Sequence, residues 1–215
     1  MNNAAACLDV HNLQFAYPGQ PPLFRDLTLT LSAGERVALT GPNGAGKTTL
    51  FNVLMGFRAP SSGWIRWFGE PAVNEGDFRR VRRQAGYLFQ LADDMLFCAT
   101  VADDVAFGPF NLGYRRDDVE QLVAESLALV GLEGYETKVT HHLSEGEKRL
   151  VSLAAVLAMK PAVLLLDEPT NGLDERARTR VINLLPALPQ AMLIATHDRD
   201  FIAACTRRQI ELTKA

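Results

Sequence analysis

Nine consecutive residues, Gly41-Pro42-Asn43-Gly44-Ala45-Gly46-Lys47-Thr48-Thr49, carry the densest chemistry in the chain. They fit the pattern G-x-x-x-x-G-K-[ST], in which glycines let the backbone curl until several N–H groups point inward at phosphate oxygens. Lys47 adds a mobile cation for the β- and γ-phosphates of a nucleoside triphosphate, and the Thr48 hydroxyl is placed to ligate Mg²⁺. Gly41, Asn43, Gly44, Gly46 and Thr49 complete the cradle. A helix starting near Gly46 would add its partial positive end.

Acids follow where such a site needs them. The apolar run Val163-Leu164-Leu165-Leu166 leads into Asp167 and Glu168. Asp167 is suited to hold Mg²⁺ through water and Glu168 to polarise the attacking water. His197 stands at the end of a second apolar run, Met192 to Ala195, within reach of a γ-phosphate. The adjacent pair His141 and His142 is a poor metal site, because neighbouring loop histidines seldom converge on one ion.

Three apolar runs must deliver these groups. Glu35 to Thr40 feeds the glycine-rich turn, and Ala162 to Leu166 and Met192 to Ala195 read as strands buried on both faces. Thr48 to Met55 has helical spacing and stops at Gly56. Asp117 to Val130 places Val119, Leu122, Val123, Leu127 and Val130 on one face and ends at Gly131, which predicts an amphipathic helix. Ser144 to Met159 predicts a second helix, with Ser144 as N-cap, Glu147 at the capping-box position and Pro161 beyond its end. Leu27, Leu29 and Leu31 alternate with Thr28 and Thr30 as in a half-buried strand. Gly63 to Phe68 and Gly86 to Phe89 are further strands. Alternating strands and helices imply a parallel, helix-covered sheet with its chemistry at the carboxyl ends. The early strands, Leu8 to about Trp67, read as antiparallel. The fold class is α/β, a mixed core with an antiparallel β-subdomain and a helical insertion around residues 101–142.

Composition bounds the rest. The 215 residues suffice for one well-buried domain, and 47% hydrophobic with 22% charged residues is ordinary for a globular protein. A net charge of −3 gives no global basic field, so no nucleic-acid partner is expected. The run Arg79-Arg80-Val81-Arg82-Arg83 is read as a solvated basic face. Cys7, Cys98 and Cys205 are widely spaced, which fits reduced thiols in a cytosolic protein. Met1 to Ala6 lacks the pattern of a signal peptide. No apolar stretch reaches the roughly 20 residues of a spanning helix, so any pore belongs to another chain.

The phosphate loop alone is compatible with a kinase, a GTPase or a helicase. Leu143-Ser144-Glu145-Gly146-Glu147 narrows this, because it resembles the LSGGQ signature of the ABC ATPases and lies about twenty residues before the acidic strand end. The resemblance covers nearly the whole chain. It implies one P-loop NTPase domain of the ABC ATPase fold over 1–215, with a core and β-subdomain at about 1–85 and 160–215 and a helical subdomain at about 91–159. It implies ATP and Mg²⁺ as the bound species, and ATP hydrolysis as the reaction. Tyr17 is similar to the aromatic that stacks on adenine. Gln90 is similar to the glutamine that contacts Mg²⁺ and senses a membrane partner, Asn171-Gly172-Leu173-Asp174 to the D-loop, and His197 to the switch histidine. Ser144 and Gly146 would form a second phosphate-binding surface, set against the nucleotide of another subunit, so a homodimer or a heterodimer with a related ATPase is implied. Glu145 and Glu147 depart from the signature, where glycine and glutamine are usual.

A finer resemblance lies in Gln90-Leu91-Ala92-Asp93-Asp94-Met95-Leu96-Phe97, then Thr100-Val101 and Asp104 to Pro109 with Asn111-Leu112-Gly113. These are similar to the energy-coupling-factor importers, in particular the cobalt and nickel uptake ATPases, although Met95 stands where glutamine is usual. This implies a peripheral subunit on the cytoplasmic face of the membrane. Its partners would be a transmembrane coupling subunit and a membrane component that binds a cobalt or nickel ion or a vitamin. The C-terminal module of many members is expected to be missing or vestigial, since the chain stops soon after His197. Another ABC importer or exporter class, or a non-transport P-loop ATPase, remains the alternative. A chromosome-maintenance relative is rejected, because Lys47 and Ser144 are under a hundred residues apart with no sustained heptads. Among the apolar side chains after Gln90 (Leu96, Phe97, Val101, Val105, Phe107 and Phe110) some are expected to pack in the core and some to line a groove for a coupling helix.

Overall fold

Alternation and continuous apolarity separate the strands into two sheets, as seen in a computed structural model that describes residues 6–213; the N-terminal stretch read for a leader lies, but for Ala6, outside them. In chain order the elements begin β1 (Ala6–Ala16), β2 (Pro22–Ser32), β3 (Arg36–Thr40), α1 (Lys47–Leu54), β4 (Ser62–Trp67), β5 (Glu70–Pro71), α2 (Glu75–Arg82) and β6 (Ala85–Leu88). They continue α3 (Val101–Leu112), α4 (Arg116–Val130), α5 (Glu145–Ala158), β7 (Val163–Asp167), α6 (Glu175–Ala187), β8 (Ala191–Ala195), α7 (Arg199–Cys205) and β9 (Arg208–Glu211).

One sheet runs β2-β1-β4-β5 and its pairings are antiparallel, with Leu29 and Leu31 buried and Thr28 and Thr30 exposed. The other runs β6-β7-β8-β3-β9 and is parallel throughout. The expectation that all early strands are antiparallel is corrected at β3, which pairs in parallel with β8 and β9. Its continuous burial at Val37, Ala38 and Leu39 is the reason, since a strand covered on both faces belongs inside a helix-flanked sheet.

Alternate side chains of the parallel sheet serve two cores. Val163, Leu165, Leu193 and Val37 pack with the antiparallel sheet and α1, whereas Leu164, Leu166, Met192 and Ile194 pack with α3, α4, α5 and α7. All eight are fully buried, each contributing about 1.5–3 kcal/mol of transfer free energy for the larger side chains. Gly131 ends α4 with φ 70°, as its position predicts.

The arginine run proves to be the last turn of α2. Asn74 and Asp77 form a capping box at its start, so acids and cations complement the helix dipole at opposite ends. Arg79, Arg80 and Arg83 are exposed, while Arg82 bonds the Met55 carbonyl at 3.0 Å and pairs with Glu75. Among the described residues no helix is long and apolar enough to cross a membrane.

The link from Gln90 to α3 is held from within. Asp104, 4% exposed, accepts the Phe97 and Cys98 amides, each at 2.9 Å, and the Thr140 hydroxyl at 2.9 Å. Removing that carboxylate orphans three donors, of which the Thr140 hydroxyl is buried and the two amides are partly buried. Asp104→Ala is therefore expected to lower stability by about 2–4 kcal/mol in urea unfolding; a loss under about 0.5 kcal/mol contradicts this account of the link.

Candidate nucleotide site

Register sets the site. Leu88 is level with Leu166, Asp167 with Ala195, and Ala195 with Leu39, so β6, β7, β8 and β3 end side by side. The loops leaving these strand ends face one cleft of about 560 Å³, lined by Tyr17, Lys47, Gln90, Asp167, Glu168 and His197 among others. Asn43, Gly44, Gly46, Thr48 and Thr49 complete that lining. Sequences scattered over 180 residues thus meet because a parallel ladder aligns their strands.

The glycine turn is possible only without side chains at its ends. Gly41 has φ 138°, and a Cβ there would lie 2.4 Å from the Leu212 carbonyl oxygen. Gly46 has φ 100° and caps α1, whose first-turn amides open toward the loop. Lys47 Nζ donates to the Gly41 carbonyl at 2.9 Å and to that of Pro42 at 3.4 Å, which places the ammonium across the mouth of the turn.

Three oxygens converge beside it. The Thr48 hydroxyl donates to Asp167 Oδ2 at 2.6 Å and lies 3.5 Å from Gln90 Oε1. Burial raises the pKa of Asp167, opposed by the Thr48 hydrogen bond and by the charges of Arg149 and Lys47. Hydroxyl, carboxylate and amide oxygens are the hard donors a magnesium ion takes when phosphates supply the remaining ligands, so this set fits Mg²⁺. Among the described residues no cluster of three His, Cys, Asp or Glu side chains forms a separate metal site, and the rings of His141 and His142 stack edge to face.

Glu168 departs from ordinary backbone, with φ 49°. That left-handed conformation turns its side chain out of the strand direction, and Oε1 meets His197 Nδ1 at 2.9 Å. Glu168 is largely buried, whereas the imidazole is exposed. Tyr17 hydrogen-bonds the Thr49 hydroxyl at 3.0 Å, and the Arg58 guanidinium lies over its ring at 5.1 Å.

Ser144 and Gly146 do not line this cleft. They start α5, where Ser144 accepts the Glu147 amide at 3.3 Å while Glu147 Oε2 accepts the Ser144 amide at 2.9 Å and hydroxyl at 2.8 Å. Glu147 Oε1 takes the Tyr135 hydroxyl at 2.8 Å, so this carboxylate is turned into the helix cap. Glu145 is turned toward Lys148, at 3.6 Å. Gly146 faces the D-loop, and a Cβ on it would lie 3.2 Å from the Gly172 carbonyl oxygen.

Two arginines escaped the sequence reading. Arg149, 3% exposed, bonds only main-chain carbonyls near the site, and Arg178 on α6 grips Asp198 through Nε at 3.0 Å and Nη2 at 2.8 Å, bracing the segment that carries His197. Burial pushes Asp198 up, but the Phe201 amide and Arg178 together hold its pKa below the usual value. Only the pairing of Arg178 with Asp198 across an intervening strand could have flagged it, and spacing alone does not reveal that.

Comparison with known proteins identifies the class this geometry defines. Residues 24–171 match the sequence model of the ABC transporter family. The chain belongs to that family: it is an ATP-binding, ATP-hydrolysing subunit of the ABC class. It is 54% identical over 186 residues to a Brucella suis biovar 1 protein assigned as an ABC transporter ATP-binding protein, covering 86% of this chain and 77% of that one. It is 43% identical over 205 residues to the energy-coupling factor transporter ATP-binding protein EcfA of Methanothermobacter thermautotrophicus, covering 94% and 66%. Among solved structures, CbiO1 of Clostridium perfringens, part of the ABC transporter complex CbiONQ, superposes with TM-score 0.86 at 34% identity, covering 97% and 85%.

The signature cap makes a pH prediction. The Ser144 amide, then the Ser144 and Tyr135 hydroxyls, hold the Glu147 pKa below its ordinary value of 4.5. A depressed carboxylate stabilises fully above its unfolded pKa and loses that contribution as pH falls through the folded value. Thermal melts from pH 6 downward should therefore show the parent losing more stability than Glu147→Gln below about pH 4.5; parallel curves contradict it.

Proposed function

We propose that this ABC ATPase powers an importer of the energy-coupling-factor type, carrying a micronutrient such as a cobalt or nickel ion or a vitamin. The likeness to EcfA and to CbiO1, at 43% and 34% identity over nearly the whole chain, supports that class. The observation that carries the hydrolytic mechanism is the convergence of Lys47, the Thr48–Gln90–Asp167 oxygens and the Glu168–His197 pair in one cleft.

In this reading Tyr17 supports the adenine, and main-chain N–H groups of residues 43–49 with Lys47 bind the β- and γ-phosphates of ATP. Thr48, Gln90 and Asp167 would hold Mg²⁺, which when bound would neutralise charge at the phosphate oxygens. Glu168 accepts a proton from the water that attacks the γ-phosphorus, releasing ADP and phosphate. His197 orients Glu168 through Nδ1 and leaves its exposed edge toward the γ-phosphate.

The working unit is a pair, of two such chains or of this one and a related ATPase, with Ser144 and Gly146 at the start of α5 meeting the nucleotide held by the other subunit. Residues 91–159 form the helical subdomain of this reading, the remainder the core and β-subdomain. The subunit sits at the cytoplasmic face of the membrane against a transmembrane coupling subunit, which joins it to the membrane component that binds the substrate. Val101 and Val105 are fully buried and belong to the core. Phe97 and Phe107 are 65% and 49% exposed and line a groove with Phe57, Met95 and Met159, while Phe110, 52% exposed, follows one turn after Phe107 on α3. That groove is the seat proposed for the coupling subunit.

Glu168→Gln should keep ATP binding, slow phosphate release about 10²–10⁴-fold and accumulate a dimer in ATP and magnesium, read by light scattering on size exclusion. Hydrolysis at the parent rate sinks the assignment of Glu168. Phe97→Asp with Phe110→Asp should melt like the parent yet fail to co-purify with the membrane subunits, and undiminished co-purification removes the groove from the interface.

A further inference from the structure

The ladder between β6 and β7 ends at Leu88 and Leu166. Beyond it the two chains part, since the Glu168 amide turns to the Ala195 carbonyl at 2.8 Å. The carbonyls of Phe89, Gln90, Asp167 and Glu168 are left on either side of the gap, and the Arg149 guanidinium fills it. Nη1 donates to the Phe89 carbonyl and, at 3.2 Å, to that of Gln90. Nη2 donates to the Asp167 carbonyl and, at 2.8 Å, to that of Glu168. Arg149 comes from α5, five residues beyond Ser144, and is 3% exposed. Four carbonyl dipoles compensate its desolvation, although Nε has no partner. Burial lowers its pKa to about 10, which leaves it charged at neutral pH.

An arginine that merely filled the core would not need to join three active segments. This one ties the stretch holding Gln90 to the stretch holding Asp167 and Glu168, and ties both to the helix opened by Ser144. It also bonds the carbonyl of the residue whose φ is 49°, a conformation that persists only where its surroundings over-determine it. The flat fork of a guanidinium reaches two pairs of acceptors at once, which a lysine ammonium does not.

We propose that Arg149 is a positioning residue for hydrolysis: by bridging the carbonyls of residues 89–90 and 167–168 it sets Glu168 and Gln90 at their working separation and makes that geometry depend on the seating of α5. The proposal rests on Glu168 being the base, and it extends that reading to a residue outside the cleft. Movement of α5 then changes the rate of the chemical step without touching the nucleotide directly.

The test uses the full chain in five forms: parent, Arg149→Met, Arg149→Lys, Glu168→Gln and the Arg149→Met/Glu168→Gln double variant. Arg149→Met should bind ATP with a Kd within about threefold of the parent, keep KM within about threefold and lose about a hundredfold in kcat, the cost of a misplaced reacting group. Arg149→Lys, able to hold one carbonyl pair, should fall between the two. In the Glu168→Gln background Arg149→Met should cost less than about twofold more, because the group it positions is already gone. Parental kcat in Arg149→Met, or a full further hundredfold loss in the double variant, overturns the proposal. If Arg149→Met does not fold, Arg149→Lys decides: at least about fivefold lower kcat at unchanged Kd supports it, and a parental kcat overturns it. A parent-rate Glu168→Gln instead removes the underlying base assignment, so the two failures are distinguishable.

Discussion

The parallel register of β6, β7, β8 and β3 is the constraint on which the site depends. Each functional loop is only as well placed as the strand end that launches it, and those ends are level because Leu39 pairs with Ala195, Ala195 with Asp167, and Leu166 with Leu88. A parallel ladder cannot slip by one residue here, since a slip would exchange Leu164 and Leu166 with Val163 and Leu165 between two separate cores. Packing that looks purely structural therefore holds the distance from phosphate loop to acidic pair.

Beyond the strand ends, hydrogen bonds from side chains replace the ladder. Arg149 fastens two diverging loops, Asp104 fastens the stretch after Gln90 to the helices, and Arg178 braces the loop of His197 through Asp198. Each anchors a loop to a helix rather than to its neighbour. The carboxylates that replace the usual signature residues obey the same logic: Glu147 completes the cap of α5, and Glu145 leans to Lys148.

Much of this was legible in the sequence because it rests on local rules. The glycine turn, the continuously apolar strands, the Ser144 cap with Glu147, and the stop at Gly131 are all specified by a few neighbouring residues. The features that were not legible depend on chain segments far apart. The parallel partnership of β3 is decided by β8 and β9, more than 150 residues away. The arginine run keeps the solvated face its sequence predicts at Arg79, Arg80 and Arg83, but the Arg82 bond to the Met55 carbonyl joins it to a segment 27 residues upstream that spacing does not reveal. The role of Arg149 is invisible in the sequence, because nothing in spacing shows that four carbonyls await it. The members of the apolar set after Gln90 that lie on α3 divide between core (Val101, Val105) and surface (Phe107, Phe110) according to which side of the helix each occupies, and their pattern is too short to fix the phase.

The positive φ of Glu168 carries one more meaning. A left-handed backbone admits glycine, asparagine and aspartate readily and strains any β-branched side chain. If Glu168 is the base proposed above, position 168 is filtered twice, once by the chemistry of a carboxylate and once by the shape of the main chain. Sequence drift there toward valine, isoleucine or threonine would distort the turn as well as remove the acid, while asparagine would silence the chemistry and leave the scaffold at ease.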